Sequence, residues 1–496
     1  MAILVIHERD NVAVTIGDIK KGEMVAYGSA KLVAQEDVDK GHKIAIRDIE
    51  AGENVVKYGF AIGKATCPVK AGQWLHTHNV KTNLGDVLDY QYLPESGHLT
   101  VPKQCGKTFS GYRRSGGGIG IRNEVWIIPT VSCVNRAAQL IAKSAQANLV
   151  GLKNIDGIYE FTHPYGCSQL GDDHRTTRQI LIDLVNHPNA GAVLVLGLGC
   201  ENNNIPEFKA ALGDYDADRV KFLIAQDVED EIASGLELME ELLQYANQYS
   251  RSDCPVSELV VGLKCGGSDG FSGITANPLV GAFSDMLIGC GGSTVLTEVP
   301  EMFGAETILM NRARDEQVFA KTVKLINDFK DYFKFHNQPV YENPSPGNKK
   351  GGITTLEDKS LGCTQKGGRS TVVDVLGYGE RVSAKGLNLL NGPGNDAVAC
   401  TVLAAAGCHI VLFTTGRGTP LGTAVPTVKI ATNSDLFKRK QNWMDFDAGQ
   451  LLTGKTMEEV TEEFFDYIVD VASGKETKAE KMGFREIAIF KTGVTL

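Results

Sequence analysis

Short apolar runs alternate with amphipathic segments from residue 121 to the carboxyl end, and this alternation restricts the fold more than any other feature. Residues 228–249 and 315–335 carry apolar side chains at spacings of three and four, which is typical of helices packed on one side. The runs with the length of buried strands are residues 125–128, 192–198, 220–224, 259–263 and 294–297. Buried strands that alternate with helices predict a mainly parallel α/β core of two Rossmann-like lobes, over residues 121–345 and 346–496.

The residues before this core have a different pattern. Three segments, 18–22, 48–52 and 68–72, each end in a glycine and are followed by a short β-prone run. Their spacing predicts a small all-β module over residues 1–97. The next segment, 98–120, is rich in glycine and basic side chains and predicts a flexible linker.

Residues 346–370, in the second lobe, have neither helical nor strand periodicity and predict a long loop. A loop of this length inside a compact enzyme is usually functional or disordered. Its ionisable side chains favour a functional loop, and they include Glu357, Asp358, Lys359, Cys363 and Lys366.

Charge and composition argue against several classes of protein. The chain has 50 lysines and arginines against 60 aspartates and glutamates, a net charge of −10, and no basic run that would favour nucleic-acid binding. Its one long uncharged stretch, 397–415, is broken by Gly407 and predicts a buried helix and a strand rather than a membrane span. The first residues lack the pattern of a secretory leader. Eleven cysteines without two-residue spacing argue against a zinc ribbon and favour a reducing, cytoplasmic compartment.

Polar side chains follow the predicted strands of the core. Parallel strands end at the same edge of a sheet, so we expect these side chains to converge on one site. A single cysteine in such a position can instead be an inert core residue. The strand-end residues are Cys133, Cys200, Lys264, Cys265, Glu298 and Arg417.

One of these strands runs into the glycine-rich segment 265–270, whose backbone amides can bind an anion. No P-loop or dinucleotide fingerprint is present, which argues against a nucleotide and favours a small carboxylate. An exposed ion pair without a functional role is the alternative for the basic residues. The side chains expected to bind the substrate are Arg122, Lys264, Ser268, Asp269 and Arg417.

Residues 163–174 hold the densest group of metal-capable side chains. His163, Cys167, Asp172 and His174 lie within these 12 residues and suit a mixed-ligand transition-metal site. In the alternative interpretation the aspartates cap the following helix and the histidine is an ordinary loop residue.

His76 and His78 stand near the end of the β module. Residues two apart in a strand face the same side, so both histidines can meet one ligand. A surface pair at a domain junction is the alternative.

Several longer motifs connect these residues with a known family. They are the segments 122–126 (RNEVW), 163–171 (HPYGCSQLG), 265–270 (CGGSDG), 300–306 (PEMFGAE), 343–348 (NPSPGN) and 490–496 (FKTGVTL). In these motifs the chain resembles the altronate dehydratase family, essentially from end to end. The first 97 residues resemble a SAF module, the β-clip fold shared with galactarate dehydratase and related sugar-acid lyases.

The resemblance implies a hydro-lyase that converts D-altronate to 2-dehydro-3-deoxy-D-gluconate in galacturonate breakdown. We expect a small sugar-acid substrate and a homo-oligomer. The chemistry needs a base that takes the proton beside the carboxylate and an acid that helps the C3 hydroxyl to leave. We expect the β module to cover the active site, and the candidate catalytic residues are His76, His78, His163 and Glu298.

The resemblance also implies dependence on iron(II) or manganese, and the residues leave two options open. A single cation can be held by Cys167, Asp172 and His174, with buried cysteines as bystanders. The other option is an iron–sulfur cluster with one iron open to the substrate. Its candidate ligands are Cys133, Cys167, Cys200, Cys265 and Cys363.

Other functions remain open on the sequence alone. The chain can dehydrate another hexonate or hexarate, as a galactarate-type enzyme does. It can also be a sulfo-lyase of a small sulfonated acid, or bind a carbohydrate without any enzymatic activity.

Overall fold

The computed structural model describes residues 2–27, 30–85, 88–95 and 106–496. Its amino-terminal part is an all-β module of nine short strands in three small antiparallel sheets. The strands are β1 Ile3–Leu4, β2 Val12–Thr15, β3 Met24–Tyr27, β4 Ala30–Val33, β5 Lys43–Ala45, β6 Asn54–Lys57, β7 Phe60–Ala65, β8 Trp74–Leu75 and β9 Val80–Lys81. This confirms the predicted small all-β module.

The three repeated turns share one backbone feature. Gly22, Gly52 and Gly72 have φ angles of 81°, 84° and 90°, in the left-handed region that favours glycine. At Gly72 a Cβ atom would lie 2.1 Å from the carbonyl oxygen of Val33, so this turn has no room for any side chain. The repeated glycines are therefore explained by turn geometry.

Part of the segment predicted as a flexible linker is paired strand. Strand β10, Thr108–Arg113, pairs with β11, Ile119–Gly120, and with the later strand Ser252–Pro255. The linker interpretation does not hold for these residues because they hydrogen-bond within a three-stranded sheet. Residues 98–105 of the predicted linker lie outside the described residues.

The first parallel sheet of the core has four strands, and helices cover its faces. Its order is β13-β12-β14-β15, and every pair is parallel. The elements are β12 Glu124–Pro129, α1 Asn135–Ala145, β13 Gly157–Glu160, α2 Gly171–Val185, β14 Ala190–Gly197, α3 Ile205–Leu212, β15 Val220–Ile224 and α4 Glu231–Ala246.

The second parallel sheet has seven strands, after the short strand β16, Ser252–Pro255, of the three-stranded sheet. Its order is β19-β20-β18-β17-β21-β22-β23. The strands are β17 Val260–Cys265, β18 Ser293–Leu296, β19 Val372–Leu376, β20 Leu387–Leu390, β21 Ile410–Thr415, β22 Thr427–Ala431 and β23 Phe446–Asp447. The helices are α5 Ala276–Gly289, α6 Glu306–Met310, α7 Glu316–Phe335, α8 Pro346–Lys350, α9 Leu356–Cys363, α10 Asp396–Ala405, α11 Ser434–Arg439, α12 Met457–Ala472 and α13 Lys478–Lys481.

Two parallel sheets with helices confirm the predicted α/β core, but they divide at a different place. Strands on both sides of residue 345 belong to the seven-stranded sheet, so a boundary there cuts through one unit. The sheets separate between β15 and β17 instead. One hydrophobic core joins them, since it contains Val193 of β14 and Val411 of β21.

The predicted long loop over residues 346–370 is largely helical. It contains α8, α9 and a 3-10 turn, Thr364–Gly367. All eight residues of α9 are buried, including Asp358 and Lys359, so this helix has no polar face and no amphipathic period. This is why the pattern of the sequence did not predict it.

No helix in the described part of the chain is long and apolar enough to cross a membrane.

Candidate active site

A network of buried charges lies at the carboxyl end of the seven-stranded sheet. Lys264, the penultimate residue of β17, is fully buried, and its ammonium group donates to the carbonyl oxygen of Cys265 at 2.7 Å. The same ammonium pairs with Glu298, which follows β18, and with Asp396 at 2.8 Å. Lys264 does not line the cleft described below, and its ammonium group has three partners inside the protein, so Lys264 holds the network together from behind the cleft.

Glu298 is the centre of this network. Its Oε2 accepts from the Lys366 ammonium at 2.9 Å and from the backbone N–H of Cys265 at 3.0 Å. Its backbone is left-handed, with φ of 69°, an unusual conformation for a residue other than glycine. Burial raises the pKa of the Glu298 carboxyl, against the lowering effect of Lys264 and Lys366. The predicted catalytic Glu298 thus lies at the expected strand end, behind the cleft described below.

A second carboxylate, Glu301, connects the network to solvent. The Lys359 ammonium donates to its Oε1 at 2.6 Å, and the Cys363 thiol donates to its Oε2 at 2.9 Å. Burial would raise the pKa of Glu301, but Lys359, Lys264 and Lys366 together lower it. Glu301 is therefore an anion at neutral pH.

Two cysteines lie side by side in this network. The Cys265 Sγ is 2.7 Å from the Ser268 Oγ, and the Cys363 Sγ accepts from the Lys366 ammonium at 3.0 Å. The side-chain interaction with Cys363, against the effect of burial, lowers the pKa of the Cys265 thiol, whereas the pKa of the Cys363 thiol is raised. The pair therefore favours a thiolate at Cys265.

An open cleft of about 540 Å³ borders the network. This volume suits a small organic ligand. Its walls combine a thiol, carboxylates, amides, two lysines and a glycine-rich turn. The lining residues that carry this chemistry are Cys265, Gly266, Gly267, Glu301, Asn343, Asn348, Lys349, Lys359, Asn395 and Asp396.

The glycines of segment 265–270 have a steric reason to be there. A Cβ atom on Gly266 would lie 2.5 Å from Asp396 Oδ1 and 2.6 Å from the Phe413 ring, and Gly267 has φ of +62°. A larger residue would close the floor of the cleft. The turn thus brings the backbone up to the cleft, and binding of an anion by its amides stays a prediction.

The β module docks against this region. Asp358 of α9 is fully buried between Lys43, at 2.8 Å, and Lys57, at 3.0 Å, both from the module. The Lys43 ammonium also donates to the carbonyl oxygen of Gly352 at 2.7 Å. Despite its burial, the two lysines hold the pKa of Asp358 well below its usual range. These contacts fix the module to helix α9, which carries Lys359, and to the turn before it.

The two histidines of the module have different environments. His76 is buried, with its Nδ1 3.1 Å from the Thr354 Oγ1, and burial lowers its pKa to about 4. His78 is exposed and packs against Trp74, with ring centroids 4.8 Å apart. The expectation that they share one face of a strand is wrong, because β8 ends at Leu75 and both histidines lie in the turn that follows.

The remaining substrate-binding candidates are divided between several places. Arg417 is exposed, and its side chain lies beside Gly267 at the cleft. Asp269 is buried and accepts from the Thr432 hydroxyl at 3.0 Å. Arg122 is buried in a bidentate pair with Glu480, at 2.8 and 3.1 Å. Its guanidinium also donates to backbone carbonyls, so the structure gives Arg122 a structural role, away from the cleft.

The segment 163–174 does not form a metal-binding group in the structure. Asp172 pairs with Arg175, and the Nε2 of His174 is 3.0 Å from the Arg178 guanidinium. Helix α2 begins at Gly171, which places Asp172 and Asp173 in its first turn. The alternative interpretation is also wrong in its detail, because the N-cap position is Leu170 and no side chain caps this helix through a hydrogen bond.

His163 is buried, and both of its ring nitrogens are used within the protein. Its Nε2 lies 2.8 Å from the carbonyl oxygen of Pro129, and its Nδ1 accepts from the backbone N–H of Tyr165 at 3.2 Å. Burial lowers its pKa. His163 therefore fixes the loop after β13 and has no free nitrogen for catalysis.

The five candidate metal-binding cysteines lie in two places. Cys265 and Cys363 are buried in the network, whereas Cys133, Cys167 and Cys200 are exposed and follow strands of the four-stranded sheet. Within the described residues, the group that could hold a metal ion with ligand atoms within 4.8 Å of one another is Glu298, Glu301 and Cys363.

Some residues of the site were not among the sequence candidates. The motif segments 300–306 and 343–348 pointed to the first three of them, and the next two were named only as ionisable residues of the predicted loop 346–370. No pattern in the sequence pointed to the two lysines of the β module. They are Glu301, Asn343, Asn348, Asp358, Lys359 and, from the module, Lys43 and Lys57.

Comparisons with known proteins agree with this architecture. Three family models match: the altronate/galactarate dehydratase SAF domain over residues 1–83, the D-galactarate dehydratase/altronate hydrolase second domain over 111–247, and the D-galactarate/altronate dehydratase C-terminal domain over 256–495. The boundary between the second-domain match and the C-terminal match falls between β15 and β17, where the two parallel sheets separate.

Whole relatives extend this similarity over the full chain. Altronate dehydratase from Escherichia coli (strain K12) is 56% identical over 496 residues, covering 100% of both chains. Altronate dehydratase from Bacillus subtilis (strain 168) is 56% identical, covering 99% of both. Galactarate dehydratase (L-threo-forming) from Escherichia coli (strain K12) is 36% identical, covering 98% of this chain and 96% of its own. These relatives are sugar-acid dehydratases. The chain belongs to the galactarate/altronate dehydratase family.

Proposed function

We propose that this chain is a hydro-lyase that removes water from D-altronate to give 2-dehydro-3-deoxy-D-gluconate. The observation that carries the proposal is 56% identity over the whole chain to two altronate dehydratases, against 36% to galactarate dehydratase. The cleft supports it, because its volume and its polar walls suit a small hydroxylated anion. The proposal includes a role in galacturonate breakdown, in the cytoplasm and as a homo-oligomer.

The lysines of the cleft supply the positive charge that a carboxylate needs. Lys359 and Lys349 both line the cleft, and the positive amino end of α10 points into it at Asn395. When the proton beside the carboxylate is removed, negative charge moves onto the carboxylate oxygens. A fixed and buried ammonium such as that of Lys359 stabilises this charge as it develops.

Cys265 is the base that the geometry favours. It lines the cleft, and its thiol has a lowered pKa because of its hydrogen bond with Cys363. A thiolate can accept the C2 proton of the substrate, after which the C3 hydroxyl leaves as water with a proton from an acid. Glu301 accepts hydrogen bonds from Lys359 and from Cys363, the neighbour of Cys265, and would hold both side chains in place.

Dependence on iron(II) or manganese is part of the proposal, but the buried group Glu298, Glu301 and Cys363 fits such a cation poorly. Lys264 and Lys366 already pair with Glu298, and Lys359 pairs with Glu301. A divalent cation there would bring more positive charge beside three ammonium groups. We therefore derive no step through a cation at this position.

The test is keto-acid release from a panel of altronate, other hexonates, galactarate and a sulfonated three-carbon acid. The purified chain is measured after chelation and after add-back of iron(II) or manganese. We expect the highest kcat/KM with altronate, and activity that is lost and then restored. A higher kcat/KM with galactarate would identify a galactarate dehydratase, and release of sulfite would identify a sulfo-lyase. Full activity in demonstrably metal-free protein would refute metal dependence.

A further inference from the structure

Exposed cysteines are concentrated at one edge of the four-stranded sheet. Cysteine is among the most buried residue types, and five of the free cysteines in the described chain are buried. Four are exposed, and three of them follow consecutive strands of this sheet. The exposed cysteines are Cys67, Cys133, Cys167 and Cys200.

The topology brings these three cysteines to the same edge. Strands β13, β12 and β14 are neighbours and parallel, so their carboxyl ends lie side by side. Cys133 follows the end of β12, Cys167 the end of β13 and Cys200 the end of β14. The sheet alone therefore places the three loops next to one another.

Hydrogen bonds join the three loops close to the cysteines. The backbone N–H of Ser132 donates to the carbonyl oxygen of Tyr165 at 2.9 Å, which joins the loops of Cys133 and Cys167. The backbone N–H of Ser168 donates to Asn202 Oδ1 at 2.8 Å, which joins the loops of Cys167 and Cys200. Each bond lies one or two residues from the cysteines that it brings together.

A glycine permits this close approach. Gly166, directly before Cys167, has φ of +99°, and a Cβ atom there would lie 2.0 Å from the carbonyl oxygen of Thr130. The loop after β13 can therefore lie against the end of β12 only with glycine at this position. The Gln226 side-chain amide also lies 3.6 Å from the Cys200 Sγ, as a hydrogen-bond donor to that sulfur.

The spacing of the sulfurs argues against a single metal ion. Tetrahedral Zn–S bonds of ~2.3 Å place neighbouring thiolates about 3.8 Å apart. Within the described residues the three sulfurs are not part of any group with ligand atoms within 4.8 Å of one another. A cluster of several iron atoms holds its thiolate ligands farther apart than a single ion does. The three loops would therefore not have to move closer together to bind it.

We propose that Cys133, Cys167 and Cys200 bind an iron–sulfur cluster through three thiolates. Iron–sulfur clusters are held by cysteine thiolates, and hydrogen bonds to the sulfurs, such as that from Gln226, adjust their reduction potential. With three thiolates, one iron of a four-iron cluster keeps a position for an oxygen ligand. The buried pair Cys265 and Cys363 is separate from this site.

The test uses the full chain purified without oxygen, reconstituted with ferrous iron and sulfide, and freed of excess reagents by gel filtration. We expect visible absorption, an electron paramagnetic resonance signal after reduction, and about four irons and four acid-labile sulfides per chain. The variant with Cys133→Ser, Cys167→Ser and Cys200→Ser should lose all three signals. Cys67→Ser, which changes the fourth exposed cysteine, should keep them.

Three outcomes would overturn the assignment. The first is iron without acid-labile sulfide in the native chain, and the second is an unchanged cluster content in the triple variant with a native circular dichroism spectrum. The third is loss of the cluster in a Cys265→Ser, Cys363→Ser variant that keeps a native spectrum. None of these readouts depends on the substrate, so a failure here is distinct from a failure of the proposed altronate activity.

Discussion

The two parallel sheets end in edges of opposite character. The edge of the seven-stranded sheet carries buried charges, in which Glu298 and Glu301 are held by three lysines. The edge of the four-stranded sheet carries exposed thiols and amides, and its charged residues, such as Asp172 and Arg175, pair in solvent. Buried pairs lose much when one partner is removed, whereas exposed pairs contribute little. The same strand-end position thus serves a rigid electrostatic site in one sheet and an accessible thiol site in the other.

The largest expected effect is on stability, from Asp358→Asn at the buried edge. This change leaves the buried ammonium groups of Lys43 and Lys57 without their carboxylate, which should lower the free energy of unfolding by about 3–5 kcal/mol. Urea denaturation at pH 7 measures this loss. Asp172→Asn, at the exposed edge, is the matched control and should leave the midpoint almost unchanged. Equal midpoints for the two variants would remove the contrast between the edges.

The next effect is on turnover, from Lys359→Met in the cleft. Loss of a fixed charge that stabilises the transition state should lower kcat/KM for altronate by about 100- to 1,000-fold. Steady-state assays on protein with a native circular dichroism spectrum measure it. The control is Arg175→Met, which removes a cation at the exposed edge, and its kcat/KM should stay within about threefold of the parent value. If Lys359→Met behaves like Arg175→Met, the cleft is not where the substrate carboxylate is bound.

A smaller effect comes from Asp183 of α2, a buried carboxyl in the four-stranded half. Burial raises its pKa to about 7, although Arg381 opposes the shift. The folded state therefore binds this proton more tightly than the unfolded state. The stability that the proton provides is complete below about pH 4 and is lost as the pH rises through 7. We expect a loss of about 2–4 kcal/mol, where the upper figure is what a ~3-unit shift gives.

The matched measurement is the pH dependence of urea unfolding in the parent and in Asp183→Asn. The variant should show a flatter profile between pH 4 and 7, since its amide does not titrate in this range. Parallel profiles would mean that Asp183 ionises normally in the folded protein.

The sequence predicted the elements whose apolar residues repeat regularly. Strand β15 matches its predicted bounds, and α7 begins one residue after the predicted start, Asp315, which caps it. The prediction that strand ends carry the site also placed Lys264, Cys265 and Glu298 together. Helix α9 was missed because burial on all sides removes the polar face on which periodicity depends. Lys359 and Asp358 were therefore assigned to a loop, and no local pattern predicted their partners far away in the chain.

Long-range pairing also explains why residue type alone misplaced some candidates. Arg122 has the chemistry to bind a carboxylate, but its partner is Glu480, far along the chain. His163 has the chemistry of a base, but the backbone at Pro129 and Tyr165 uses both of its nitrogens. These assignments depend on which groups surround a side chain in three dimensions, and a sequence pattern contains little of that information.

The smallest expected effect is that of Arg417→Lys at the rim of the cleft. Arg417 is exposed, and its side chain lies beside Gly267, which lines the cleft, so it can reach a bound anion from the solvent side. Arginine binds a carboxylate through two parallel hydrogen bonds, whereas lysine provides a single charge. We expect kcat/KM to fall by about tenfold, or ~1.4 kcal/mol, with stability unchanged because the side chain is not buried. Arg439→Lys, an exposed substitution on α11, should keep the parent kcat/KM. Equal kcat/KM values for the two variants would restrict carboxylate binding to the lysines inside the cleft. Arg417 would then have no role in binding the substrate.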